Sequence, residues 1–230
     1  MKIDIKCNKC HSENKAELTD NFILKFKCNK CKSNEEIELN LEKFQVLFDL
    51  GIICLKNGYY KEAVSDFATS LERVFEFSIR RILNRRNIEK ELINSIWKEV
   101  KNQSERQYGA FIFLYAYEFK KEFKLDNKQI KFRNEVIHKG KFPNFEETYE
   151  YAKYIYYNIY NILLEFAQNG YTADYNSKFK YNLIPRDGYI SFISQYGFIH
   201  DQTGEIKPTP DFDNKYMEFY VDEKFIFAKG

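Results

Sequence analysis

Residues 60–83 read YKEAVSDFATSLERVFEFSIRRIL, and their spacing decides the fold class. Ala63, Val64, Phe67, Leu71, Val74, Phe75, Ser78, Ile79 and Ile82 recur three and four positions apart, the period of a helix that buries its apolar side. Upstream, Phe44, Leu47, Phe48, Gly51 and Ile52 form a second helical stripe that starts at Glu42 and ends at Lys56-Asn57-Gly58. Two helices joined by a Gly-bearing turn make an antiparallel hairpin. Downstream, helices are expected over 89–101 (Leu92, Ile96, Val100) and 105–123 (Phe111, Leu114, Tyr115, Glu118, Phe119). A short helix over 127–139 stops at Gly140 with Pro143 beyond it, and a long one over 144–168 buries Ile155, Ile159, Ile162, Leu163 and Phe166 before Asn169-Gly170. The fold class is therefore mainly α, with a bundle of five or six helices over residues 41–170.

Both ends depart from this period. Residues 1–40 alternate, with Ile3 and Ile5, then Phe22, Leu24 and Phe26, then Ile37 and Leu39, as short β-hairpins do. Residues 171–230 read as short strands over 189–194, 197–206 around Gln202-Thr203-Gly204, and 216–227 around Asp222-Glu223. A small C-terminal β-containing module is expected there, and both packing on the helices and recognition of a partner are open to it.

Composition narrows the class further. The 230 residues are 44% hydrophobic, with 22 Phe and 18 Tyr, too apolar for a disordered chain. They are also 30% charged, too polar for a membrane bundle, and no run approaches the roughly 18 apolar residues of a spanning helix. The start, MKIDIKCNKC, carries charges where a signal peptide would be apolar, so a cytoplasmic protein with no membrane partner is expected. A net charge of +2 excludes a generally basic surface. The distribution is uneven, at +1 for 1–40, +3 for 41–170 and −2 for 171–230.

Cys7, Cys10, Cys28 and Cys31 follow the pattern C-x2-C-x17-C-x2-C, the spacing of a four-thiolate zinc ribbon. A two-residue gap lets one tight turn present two thiolates to a tetrahedral ion, and both turns have the same sequence, CNKC. An intracellular chain keeps its thiols reduced, which argues against disulfides, and no β-α-β setting accompanies a reactive C-x-x-C. Four thiolates leave no open position for water, so the Zn2+ expected here is structural. His11 follows Cys10 and could replace a ligand, but with four cysteines at hand it reads as a bystander, and Cys54, on the apolar face of the first helix, reads as a small buried hydrophobe.

The second constellation is Arg133-Asn134-Glu135-Val136-Ile137-His138, at the end of the short helix closed by Gly140. With eight Arg and three His, chance supplies about 0.1 matches to R-x4-H and several times more at relaxed spacing, so the bare pattern is weak and its setting at a helix end is what informs. Asn134 and His138 share a helix face, so the amide can orient the imidazole, while the Arg133 guanidinium can bind a phosphate bidentately. Those groups suit cleavage of RNA by its own 2′-hydroxyl, with histidine moving the proton and arginine offsetting phosphoryl charge; no metal is needed. One such set is thin for an active site, which points to two copies sharing a cleft across a dimer. The competing reading pairs Arg133 with Glu135 or Glu72 and leaves His138 as a helix cap.

The hairpin GYYKEAVSDFATSLER (residues 58–73), followed two helices later by RNEVIHKG (residues 133–140) and one long helix, resembles the HEPN superfamily of helical RNases and RNA-binding modules. The likeness covers residues 42–168. It implies a metal-independent endoribonuclease with Arg133, Asn134 and His138 as the site, built at a homodimer interface, in a toxin, abortive-infection or other anti-phage setting with an antitoxin or defence partner. Members silenced by adenylylation often carry a Tyr two residues after the His; here Gly140 stands there. The superfamily also contains inactive scaffolds, so a non-catalytic module binding nucleic acid or protein is the second reading.

Arg80, Arg81, Arg85 and Arg86 can grip RNA phosphates, or simply favour the C-terminus of their helix. Glu72, on the inner face, can orient Arg133 or His138, or form an ion pair. Tyr149, Tyr151, Tyr154, Tyr156, Tyr157 and Tyr160 can stack bases, or serve as core and dimer contacts. His200 has no nearby partner in sequence and is assigned no role.

Overall fold

The computed structural model describes residues 2–17, 19–21, 23–38, 42–171 and 209–221. Its centre is the helix that the opening stretch encodes, Tyr60–Arg85, which follows Lys43–Lys56; in chain order these are α2 and α1. At 26 residues, α2 is about 39 Å long. Its apolar positions form a band wider than one stripe, because it packs against α1, α3 (Lys90–Val100), α4 (Ser104–Phe119), α5 (Asn127–Lys139) and α6 (Phe145–Gln168). Toward α1, Phe67 meets Phe48 with ring centroids 4.9 Å apart, and the buried Ser70 hydroxyl donates to the Phe44 carbonyl at 2.7 Å. Toward α4, Phe75 stacks on Phe111 at 4.6 Å.

The caps explain the boundaries. In α1 the Gln45 side chain accepts from the Glu42 backbone N–H at 2.9 Å, one half of a capping box. The α6 start is the same device: Asn144 Oδ1 accepts from Glu147 N at 2.9 Å, and Glu147 Oε2 accepts from Asn144 N at 3.1 Å. In α5, Asp126 accepts from Lys128 N at 2.8 Å, and Gly140 closes the helix at φ +72°, a geometry costly for any side chain.

Three expectations need correction. Helix α4 ends at Phe119, not 123: Lys120 turns left-handed (φ 56°), and Phe123 folds back against Phe111 at 5.0 Å and Phe75 at 6.1 Å. Filling that aromatic cluster outweighs one more helical turn. On α3 the buried side chains are Ile93 and Trp97, while Leu92 and Ile96, expected to face inward, are each 50% exposed. Of the stretch 216–227, expected as strands, residues 216–221 belong to a helix, α7 (Phe212–Val221), and 222–227 lie outside the described residues. Phe212 is fully buried against α6, 5.3 Å from both Tyr149 and Tyr156, and Tyr156 Oη donates to the Pro210 carbonyl at 2.9 Å. The other C-terminal strand candidates, 189–194 and 197–206, and His200 lie outside the described residues.

At the N-terminus two antiparallel hairpins form as the alternation implies: β1 (Lys2–Lys6) with β2 (Glu13–Glu17), and β3 (Ile23–Lys27) with β4 (Asn34–Glu38). β2 packs on β3, and Lys43 at the start of α1 pairs with Asp20 at 2.6 Å. Among the described residues no helix is long and apolar enough to cross a membrane.

Two tests follow from this packing. A Cβ on Gly51 would lie 2.5 Å from the Phe67 ring, which is itself fully buried. Gly51→Ala should therefore destabilise the protein in urea melts, since overpacking costs about 1–3 kcal/mol against a helix-propensity gain of about 1 kcal/mol. Burial pushes the Asp66 carboxyl up to about 6, although the Cys54 thiol donates to it at 3.7 Å. The folded chain then holds a proton between pH 4 and 6 that the unfolded chain has released, so this group's contribution is greatest at low pH and fades as pH rises through 6. Asp66→Asn should flatten the fall in stability between pH 4 and 6, read as the urea midpoint against pH.

Candidate functional site

The hairpins bring Cys7, Cys10, Cys28 and Cys31 together, with all four Sγ atoms within 4.8 Å of one another. Cys7 and Cys31 are 3.6 Å apart, as are Cys10 and Cys28. A tetrahedron of 2.3 Å metal–thiolate bonds has edges of about 3.8 Å, so the four sulfurs fit a metal ion such as zinc. The backbone supports the same geometry: Lys30 and Cys31 direct their N–H groups at Cys28 Sγ, at 3.4 and 3.5 Å. His11 is exposed and stands outside the cluster. Cys54 is half-buried between α1 and α2, and burial pushes its thiol up to about 11.

The two halves of this centre are copies of one another. Each strand of the first hairpin recurs 21 residues later, Lys2 as Ile23 and Glu13 as Asn34. Both turns close alike, Cys7 N donating to Ser12 O at 3.0 Å and Cys28 N to Ser33 O at 2.8 Å, with His11 and Lys32 left-handed at φ 56° and 61°. The correspondence extends across the interface. Asn14 accepts from Asn29 N at 2.7 Å, and Glu35, its counterpart, accepts from Asn8 N at 3.3 Å. Ser12 Oγ lies 3.1 Å from both Cys10 and Cys28 Sγ, and Ser33 Oγ 3.0 Å from Cys31 Sγ. The sequence reading missed these supporting residues; the signal was there in CNKCHS and CNKCKS, identical at the serine as well as the cysteines. The Ser12 hydroxyl pulls the Cys28 thiol down to about 5, while burial pushes Cys7 up to about 11.

The second constellation also assembles. Arg133, on α5, donates from Nη2 to Glu72 Oε1 on α2 at 2.9 Å, joining the two helices. Its Nη1 donates to Asn134 Oδ1 at 3.0 Å and lies 3.2 Å from His138 Nε2. A guanidinium can only donate, so in this arrangement Nε2 is the acceptor and the ring proton sits on Nδ1. Burial pushes Glu72 above the usual carboxylate range, and Arg133 offsets this only in part. The sequence reading had Asn134 orienting the imidazole. Instead the amide holds Arg133, and Arg133 touches the ring. His138 is exposed, and the helix end is closed by the backbone, Lys141 N donating to Glu135 O at 3.0 Å. Around it α5 carries Lys128, Lys131, Arg133 and Lys139 against one acid, Glu135.

The other candidates have partners. Arg80 bonds Glu76 at 2.9 Å and Asn94 at 2.8 Å, and lies over Trp97. Arg81 lies over Phe77. Arg85 donates to the Asn169 carbonyl at 2.7 Å, satisfying the end of α6, and Arg86 bonds Glu118 at 2.7 Å. These four begin about 12 Å along α2 from Glu72. The tyrosines divide between two sides of α6. Tyr149, Tyr156 and Tyr157 engage the α7 segment, while Tyr151 packs on Phe132 at 5.4 Å and Tyr154 accepts from Asp126 N at 2.8 Å, both beside Arg133.

Comparison with protein-family models, with curated proteins and with solved structures finds no match to this chain. For the thiol cluster, the expected result is about one tightly bound metal ion per chain by elemental analysis. Cys28→Ser should lower that content and disorder the hairpins while helical circular dichroism persists, because hairpins and helices share few contacts. A metal-free protein with ordered hairpins would contradict the assignment.

Proposed function

We propose that the chain is a metal-independent endoribonuclease of the HEPN type, with Arg133, Asn134 and His138 as its site and the thiol cluster as a structural zinc ribbon. The observation that carries this is the convergence of an exposed imidazole and a guanidinium at 3.2 Å, on a helix whose charge is mostly positive. Glu72 and Asn134 hold Arg133 from two sides, so its remaining N–H groups are preorganised for the non-bridging oxygens of a phosphate. When the phosphate takes the guanidinium, Nε2 is released from its contact and can accept the proton of the ribose 2′-hydroxyl. The 2′-oxygen bonds to phosphorus, the bond to the 5′-oxygen breaks, and a 2′,3′-cyclic phosphate remains. The leaving oxygen requires a proton in return.

That last requirement supports the dimer. Each chain supplies one imidazole at the site, whereas the reaction uses a base and an acid; His138 of a second copy provides the other. Phe142, four residues beyond His138, is 87% exposed and offers apolar surface for that contact. A cytoplasmic setting, a toxin or anti-phage role and an antitoxin or defence partner belong to the same proposal. The second reading is a non-catalytic module that binds nucleic acid or protein. It is favoured by the Arg133–Glu72 pair, which joins α5 to α2 and so gives the guanidinium a structural role of its own.

Mixed RNA in magnesium-free buffer separates the two. Wild type should generate cyclic-phosphate ends, and His138→Ala should lower the rate about 10²–10⁴-fold, the usual span for a general acid or base. Equal behaviour of the two proteins would remove the nuclease reading, and salt-sensitive binding without cleavage would favour the module.

A further inference from the structure

A surface cleft of about 120 Å³ opens beside Arg133, between α2, α4, α5 and α6. Its walls are predominantly apolar, with Phe75, Tyr108, Leu125, Ile130, Tyr151 and Tyr154. Two of the rings are fixed by hydrogen bonds: Tyr108 Oη accepts from Leu125 N at 3.1 Å, and Tyr154 Oη accepts from Asp126 N at 2.8 Å. The same bonds hold the α4–α5 connection at the cleft's edge. Glu72, Arg133 and Asn134 also line it, so it adjoins the groups assigned to the phosphate.

We infer that this cleft is a base pocket selecting a pyrimidine next to the scissile phosphate. The inference rests on the nuclease reading above. Size argues for the class: a dry apolar cavity of about 150 Å³ holds one benzene ring. A cleft of about 120 Å³ is near that size, so it matches one six-membered ring more closely than the fused pair of a purine. Fixed aromatic walls suit a flat ring, since base stacking on aromatic side chains is indifferent to sequence and leaves selection to shape. The polar lining suits the ring's edge. The Gln129 side chain makes no hydrogen bond among the described residues, and the Asn134 amide uses its oxygen on Arg133, leaving its NH2 to donate. Arg133 at the same cleft supplies the cation that an attached phosphate requires.

The test uses DNA oligomers with a single ribonucleotide, so that only one phosphate can be cleaved, and the base on each side of it is varied in turn. The full-length protein should cleave with a pyrimidine in one of these positions at least tenfold faster than with a purine. Ile130→Trp, at a partly exposed position on the cleft wall, should fill the pocket and cost about tenfold at pyrimidines. Ile130→Ala should enlarge it and bring the purine and pyrimidine rates together. Equal wild-type rates for all four bases in both positions overturn the pocket while leaving the nuclease intact. The nuclease reading itself is decided by the mixed-RNA assay; if no oligomer is cleaved, binding of CMP, UMP and AMP, followed by tyrosine fluorescence, decides the pocket. Tighter CMP or UMP binding that Ile130→Trp abolishes sustains it, and equal or absent binding overturns it.

Discussion

A helix whose apolar residues occupy more than one side cannot be satisfied by one neighbour, and α2 is such a helix. Phe67 and Phe77 need α1, Phe75 needs α4, and Leu71 and Ala68 lie toward α5 and α6. The surrounding helices are arranged by that demand. It also determines where chemistry can occur, because Glu72 sits at the edge of the same band. There it is buried enough to lose part of its hydration and near enough to α5 to receive Arg133. The ion pair is a by-product of helix packing, and it fixes the guanidinium at a surface where His138 remains open to solvent.

Helix ends were legible where local chemistry writes them. Asp126 and Gly140 bound α5, and Asn144 with Glu147 opens α6; each acts within one turn. What failed depended on distant partners. Nothing local to 119–123 says that Phe123 is wanted by Phe75 and Phe111, so the end of α4 was placed late. Leu92 and Ile96 have helical spacing, but so do Ile93 and Trp97, and only tertiary packing chooses between the two stripes. In α7, the apolar run from Tyr216 with a turn at Asp222-Glu223 reads as a strand pair, although Phe212, Tyr216 and Phe219 already stand four and three apart; the partner that favours the helix is α6, on which Phe212 is buried.

The candidate sites show the same division. The cysteine spacing contained its own geometry, since a C-x-x-C turn can do little else with a tetrahedral ion. The Arg-Asn-His spacing puts three polar residues on one helix but does not give the bonds among them. One-dimensional spacing says that Asn134 and His138 share a face; it does not say that Arg133, anchored from α2, reaches the amide and the ring first. Arg85 and Arg86 were ambiguous for a related reason: the carbonyl of Asn169 and the carboxylate of Glu118 that receive them lie 84 and 32 residues away.

The repeated hairpin has a consequence for how the N-terminal region reaches its native form. Each half is a short two-stranded ribbon with half of a ligand set, and an isolated hairpin of that kind is marginal in water. The bonds from Asn14 to the opposite turn, and from Glu35 back again, exist only once both halves are present. Neither ribbon has these bonds by itself, so each half relies on the other for its order, and the four thiols meet only where both are formed.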